Sequence, residues 1–165
     1  MLQIFQRRPW LRDVLIVVVA LVGIRAYQQR DLPNGPAPPF EGDLLDGSRA
    51  ALAVYRGEPL LVHFWATWCG VCRMEQGSLD AIAADRPVLS IASRSGDAAA
   101  VSTYVTSHQV KPGVIVDSSG ALAERYGVHA FPTTFVLDRN GDIRFREVGY
   151  TTELGLRARL WLAGW

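Results

Sequence analysis

The sequence predicts an α/β domain built on a central mixed β-sheet with helices on both faces. Three observations carry that prediction: dense apolar runs of strand length, helix-length stretches alternating with them, and a late pair of strands joined by a tight turn. Alternation requires parallel neighbours and the hairpin requires an antiparallel pair, so the sheet is mixed. A length of 165 residues suits one such domain with an appendage. A formal charge of +1 gives no electrostatic reason to expect nucleic acid as a partner. Two cysteines are too few for a disulfide-stapled scaffold.

The appendage is N-terminal. Residues 14 to 24, Val-Leu-Ile-Val-Val-Val-Ala-Leu-Val-Gly-Ile, are apolar without interruption, with Arg7, Arg8 and Arg12 before them and Arg25 after. Trp10 and Tyr27 extend this into an aromatic-bounded segment, and the arginines can snorkel toward headgroups. Residues 1–27 are therefore expected to be a transmembrane anchor. A signal peptide is the main alternative, because the apolar run is short for a bilayer core of about 30 Å, and a buried core helix is the third. The positive cluster places the N-terminus in the cytoplasm and the rest outside. Residues 28–39 hold four prolines among twelve residues and are expected to form a semi-rigid linker. The folded domain is then 40–165.

Within it, Asp46-Gly47 marks a turn between two short strands in residues 40–54, an N-terminal β-hairpin extension. Leu60–Trp65 reads as a strand buried on both faces, followed by a helix over about 69–84. Residues 88–92 form a strand, 98–108 a helix, 114–116 a strand, and 121–126 a short helix stopped by Gly127. Strands at 133–137 and 143–148 flank the turn Asp138-Arg139-Asn140-Gly141, and a helix over 154–162 follows.

Both cysteines, Cys69 and Cys72, lie one helical turn apart where a buried strand gives way to a helix. A thiolate at a helix N-terminus faces unpaired N–H groups and the positive end of the helix dipole, which lowers its pKa. Cys69 is thus expected to be the accessible nucleophile, with Cys72 carried inward and able to attack a mixed disulfide on Cys69. A stabilising staple is a poor alternative, because so short a loop contributes only about 2 kcal/mol. A metal site needs further ligands, and His63, His108 and His129 are widely spaced. Two thiolates alone suffice for Cu(I), so a copper carrier is the competing function. No cofactor or resident metal is expected.

The stretch Phe64-Trp-Ala-Thr-Trp-Cys-Gly-Val-Cys72, followed by Phe131-Pro-Thr-Thr-Phe135, resembles the thioredoxin superfamily. Within it the chain is most similar to the TlpA/ResA-like exported, membrane-anchored group, with the ScsD-like branch (suppression of copper sensitivity) the nearest fit. The resemblance covers about residues 40–162 and implies a thioredoxin-like fold and thiol–disulfide exchange. It implies that Cys69 attacks and Cys72 resolves. Pro132 matches the family's cis-proline, whose neighbouring backbone, with Phe131, receives an extended substrate segment. Trp68 matches the tryptophan before the first cysteine, and Gly70 and Val71 complete the substrate-facing motif.

Glu75 matches an acid implicated in proton movement at the inner cysteine, and it has a physical case of its own. It is three residues after Cys72 on the same helix, where partial burial would raise its pKa. A solvated residue pairing with Arg73 is the alternative. His63 departs from the Asp or Asn usual at its place, and is expected either to exchange a proton with Cys72 or to be a buried, hydrogen-bonded core residue. The resemblance further implies periplasmic protein substrates carrying disulfides or thiols, a membrane reductant of the DsbD or ScsB kind, and residence in the bacterial inner membrane as a single-pass protein with the domain in the periplasm. Reduction is the favoured direction.

Overall fold

A computed structural model of the chain describes residues 9–165. Arg7 and Arg8 of the positive cluster lie outside the described residues. Two compact units are separated at Asp31/Leu32. The first contains helix α1, Pro9–Gln29. Its apolar side chains from Val14 to Ile24 are exposed all around the helix, with no polar face. Among the described residues no helix is long and apolar enough to cross a membrane. Arg12, Asp13 and Arg25 interrupt α1, Arg12 bonding Asp13 at 3.2 Å.

The second unit holds a six-stranded sheet in the order β1-β8-β7-β4-β5-β6, with β1 at Gly35–Pro36, β4 at Leu60–Trp65, β5 at Val88–Ser93, β6 at Gly113–Asp117, β7 at Thr133–Leu137 and β8 at Asp142–Val148. The β4–β5 and β5–β6 pairs are parallel and the β4–β7, β7–β8 and β1–β8 pairs antiparallel, as strand–helix alternation followed by a hairpin requires. β2 (Glu41–Asp43) and β3 (Arg49–Ala51) form the separate hairpin expected at Asp46-Gly47. The helices are α2 (Gly70–Ala83), α3 (Ala98–His108), α4 (Ala121–Arg125) and α5 (Glu153–Ala163). This is the thioredoxin-like architecture.

Central strands β4, β5 and β7 are buried at every position, which explains their unbroken apolar composition. Alternate residues of β4 feed opposite cores. Leu60, Val62 and Phe64 face one that includes Phe135 and Tyr126, and Leu61 faces another with Leu79 and Ile82 of α2 and Leu156 and Leu160 of α5. Trp65 joins a third cluster with Ala66, Cys69, Cys72 and Val101.

The expected linker 28–39 is divided by the structure. Its last eight residues belong to the domain: Leu32 and Ala37 are buried in the first core, and β1 pairs with the edge of β8. Tyr126 Oη donates to Pro38 O at 2.7 Å, and Arg146 donates to Leu32 O at 3.1 Å. A proline-rich segment can run along a sheet edge because an edge strand needs few of its own N–H groups.

Candidate active site

Strand β4 delivers the chain to the site, and a three-residue bend ends at Cys69, whose N–H donates to Ala66 O at 3.0 Å. Cys69 is the N-cap of α2. Its Sγ accepts the N–H of Cys72 at 3.1 Å, satisfying one of the helix's otherwise unpartnered donors. The two sulfurs form a disulfide, with Cα atoms 5.3 Å apart. Cys69 is the more exposed of the two, but at 7% against 3% both are buried. The expectation of an openly accessible Cys69 is therefore corrected for the oxidised state: the bend tucks it into the cluster of Trp65, Ala66 and Val101, with Phe131 packed against that cluster.

The Phe131–Pro132 peptide bond is cis, and Pro132 O accepts the N–H of Gly149 at 2.8 Å. Trp68 is not a core aromatic. It is 65% exposed, its Nε1 donates to Arg94 O at 3.0 Å, and its ring meets Phe131 edge-on at 5.7 Å. Gly70 and Val71 are exposed at the start of α2, and Met74 is exposed one turn along. Trp68, Val71 and Met74 thus give the site an apolar rim.

On its buried side α2 presents Cys72, Glu75, Leu79 and Ile82, a spacing that keeps all four on one helical face. Glu75 is completely buried, so the solvated alternative pairing with Arg73 is excluded. One carboxylate oxygen accepts the N–H of Thr151 at 3.0 Å, and the other has no hydrogen-bond partner among the described residues. Burial pushes its pKa up to about 7; the Thr151 bond opposes this and the nearby Glu147 carboxylate adds to it.

His63 lies on the sheet face that carries Leu61 and packs under α2. Its Nδ1 shares a 2.9 Å hydrogen bond with Thr134 Oγ1, and its Nε2 has no partner among the described residues. Burial pushes its pKa down to about 3, so the ring is neutral near pH 7. His63 stands in register with Ser90 on one side and Thr134 on the other, and Thr134 with Glu147. All four are buried, so a polar row crosses the sheet beneath the redox helix. Glu147 forms an ion pair with Arg159 at 2.7 Å.

Two features lacked a recognisable signal in the sequence. The Gly149–Thr152 loop reaches both Pro132 and Glu75 through backbone N–H groups, which no residue type betrays. Thr134 and Glu147 are polar residues on alternating strand positions, and only the register shows that they line up with His63. His129 is exposed and takes no part in the site. Among the described residues no group of three or more His, Cys, Asp or Glu is placed to hold a metal ion.

A family model described as Redoxin matches residues 32–158. The chain belongs to the Redoxin family. The match begins at Leu32, where the compact second unit also begins. The Redoxin domain is similar to the thiol:disulfide interchange protein DsbE of Pseudomonas fluorescens biotype C, 32% identical over 164 residues that span 93% of this chain and 92% of the relative. It is also similar to the thiol-disulfide oxidoreductase ResA of Bacillus thuringiensis subsp. konkukian, 27% identical over 140 residues, 79% of this chain and 81% of the relative. A solved structure from Chlorobium tepidum, described as a putative thiol:disulfide interchange protein DsbE, superposes with a TM-score of 0.73 at 25% identity, covering 80% of this chain and 98% of that one. The Redoxin domain is a thiol–disulfide oxidoreductase of the DsbE/ResA type, within the TlpA/ResA-like group expected from its motifs.

Proposed function

We propose that the chain is exported and membrane-attached through α1, and that its domain reduces disulfides in proteins outside the cytoplasm. The observation that carries the redox half is the Cys69–Cys72 disulfide at the N-terminus of α2, with Cys69 as the cap. In the reduced protein, the helix N-terminus stabilises the Cys69 thiolate. That thiolate attacks one sulfur of a substrate disulfide, forming a mixed disulfide and releasing the other sulfur as a thiolate that takes a proton. Glu75, one turn from Cys72, accepts the Cys72 proton with a pKa suited to neutral pH. The Cys72 thiolate then attacks Cys69 Sγ, closing the internal disulfide and expelling the reduced substrate. A dithiol reductant of the DsbD or ScsB kind returns two electrons. Neutral His63, bonded to Thr134, serves as a buried core residue of the sheet rather than as the proton acceptor. Trp68, Gly70, Val71, Phe131 and the backbone at Pro132 receive the substrate segment.

The attachment half rests on α1. Its uninterrupted apolar stretch, residues 14–24, is eleven residues or about 16 Å of helix, too short to cross a bilayer core, yet it is exposed on every side between Arg12-Asp13 and Arg25. So much exposed apolar surface needs cover in water, and a membrane surface is the cover that fits its arginine flanks.

Trapping tests the chemistry. A Cys72→Ser variant is expected to accumulate mixed disulfides through Cys69 with exported proteins, and Cys69→Ser to accumulate none. Equilibration with glutathione tests the direction. A potential near that of a strong oxidant, about −120 mV, would overturn the reductase assignment, and stoichiometric Cu(I) binding without insulin reduction would overturn the enzymatic role.

A further inference from the structure

At the end of β4 opposite the disulfide lies a cleft of about 670 Å³ whose walls include Pro59, Arg86, Arg139, Arg157, Trp161 and Trp165. Three guanidinium groups and no carboxylate side chain line it. Arg157 is held by Asp85 and Glu153, while Arg86 makes only a 3.8 Å approach to Asp85 and Arg139 makes no ion pair among the described residues. The two indoles meet edge-on at 5.6 Å, and Trp161 and Trp165 are 63% and 90% exposed, with Leu162 exposed beside them. Water is a poor partner for so much apolar ring surface, whereas a lipid interface accepts both the indole and the arginine.

Chain connectivity brings such an interface within reach. Three sequence positions separate Gln29, the end of α1, from Leu32, a span of at most about 11 Å. From Leu32 the chain follows the β8 edge to Ala37, whose N–H donates to Gly141 O at 3.0 Å, in the turn that carries Arg139. Arg139 O in turn accepts the N–H of Gly57, two residues before Pro59. The chain thus enters at Leu32, beside Arg146 toward the Val148 end of β8, and runs down that strand to the turn beside the cleft, five residues and about 16 Å further on. The disulfide follows the far end of β4, six residues and about 20 Å away.

We infer that this tryptophan–arginine cleft docks on an anionic phospholipid surface. Arg86 and Arg139 meet the headgroup phosphates, Trp161 and Trp165 sit at headgroup depth, and the disulfide is turned toward the aqueous compartment. The inference rests on the membrane attachment proposed above and goes beyond it, because a tether alone leaves the domain free to tumble.

The full chain carrying Trp10→Phe, which removes the indole of α1, is mixed with vesicles of acyl-brominated phosphatidylcholine, with and without phosphatidylglycerol. Docking predicts at least about twofold stronger tryptophan quenching when phosphatidylglycerol is present. That excess disappears when Trp161→Phe and Trp165→Phe are added, and falls to the phosphatidylcholine level with Arg86→Ser and Arg139→Ser, while insulin reduction is unchanged in both. Quenching that is equal in the two lipids, or insensitive to loss of the two indoles, overturns the inference. Sedimentation of the same samples separates the two ideas. A chain that pellets with vesicles without this quenching retains its attachment and loses the docking surface, whereas a chain that stays in the supernatant loses both.

Discussion

Glu75, on the buried face of α2, and His63, on the sheet beneath it, are two buried ionisable groups, and burial moves them in opposite directions. The Glu75 carboxyl titrates near 7 in the folded protein against 4.5 ordinarily, so between those values the unfolded chain binds fewer protons and stability falls as pH rises. The His63 ring titrates near 3 against 6.5, so between those values the unfolded chain binds more protons and stability rises with pH. Each contributes a slope of about 1.4 kcal/mol per pH unit, and from about pH 4.5 to 6.5 the two cancel. Replacing either residue exposes the other. In the oxidised protein, Glu75→Gln is expected to become more stable with rising pH across that window and His63→Asn less stable, each by about 3 kcal/mol relative to wild type. Urea unfolding at the two pH values reads both signs, and parallel slopes in all three proteins would refute the opposing pair. The spacing from Cys72 made Glu75 legible in the sequence. The state of His63 was not, because its neutrality follows from complete burial against Thr134, which is set by strand register.

At the scale of elements, β4, β5, β7, β8 and all four helices of the domain fall within about two residues of where apolar runs, Gly127 and the Asp138–Gly141 turn place them. These elements are legible because local pattern and burial agree. β1 is not, since its pairing partner is Asp142–Ile143, more than one hundred residues away, and prolines mask its role. Two glycines show how an element's environment decides a substitution. Gly77 is exposed within α2, and a Cβ there meets nothing within 4 Å, so Gly77→Ala should stabilise the protein by about 0.5–1 kcal/mol. Gly120, at the N-terminus of α4, has φ +79°, and a Cβ there would approach Arg94 Nε to 2.5 Å. Gly120→Ala should cost about 1–2 kcal/mol in backbone strain alone. It should also displace Arg94, whose carbonyl holds the Trp68 indole beside the disulfide. The expected readout is a lowered urea midpoint together with altered Trp68 emission. A loss of stability with Trp68 emission unchanged would separate α4 from the site.

For the whole molecule, the question is where the folding unit begins, since that decides whether the chain between α1 and the first hairpin is a swinging arm or part of the body. Proline content argues for an arm from residue 28 to 39. The packing argues that the arm ends at Asp31: Leu32 and Ala37 fill the core shared with Phe64 and Tyr126, β1 covers the β8 edge, and Tyr126 and Arg146 hold Pro38 O and Leu32 O. Burying one leucine contributes about 2 kcal/mol and the lost hydrogen bonds about 1 kcal/mol each, so removing residues 32–39 should cost about 4 kcal/mol. At about 2–4 °C per kcal/mol for a domain of this size, a chain starting at Phe40 should melt about 10 °C below one starting at Leu32. It should also self-associate through the uncovered β8 edge. Paired thermal unfolding and sedimentation velocity of the two truncations check this. Equal melting temperatures would make residues 32–39 a tether after all and lengthen the reach of the domain from α1 by eight residues. That would weaken the orientation assigned to the tryptophan–arginine cleft, because a longer arm leaves every face of the domain equally able to meet the membrane.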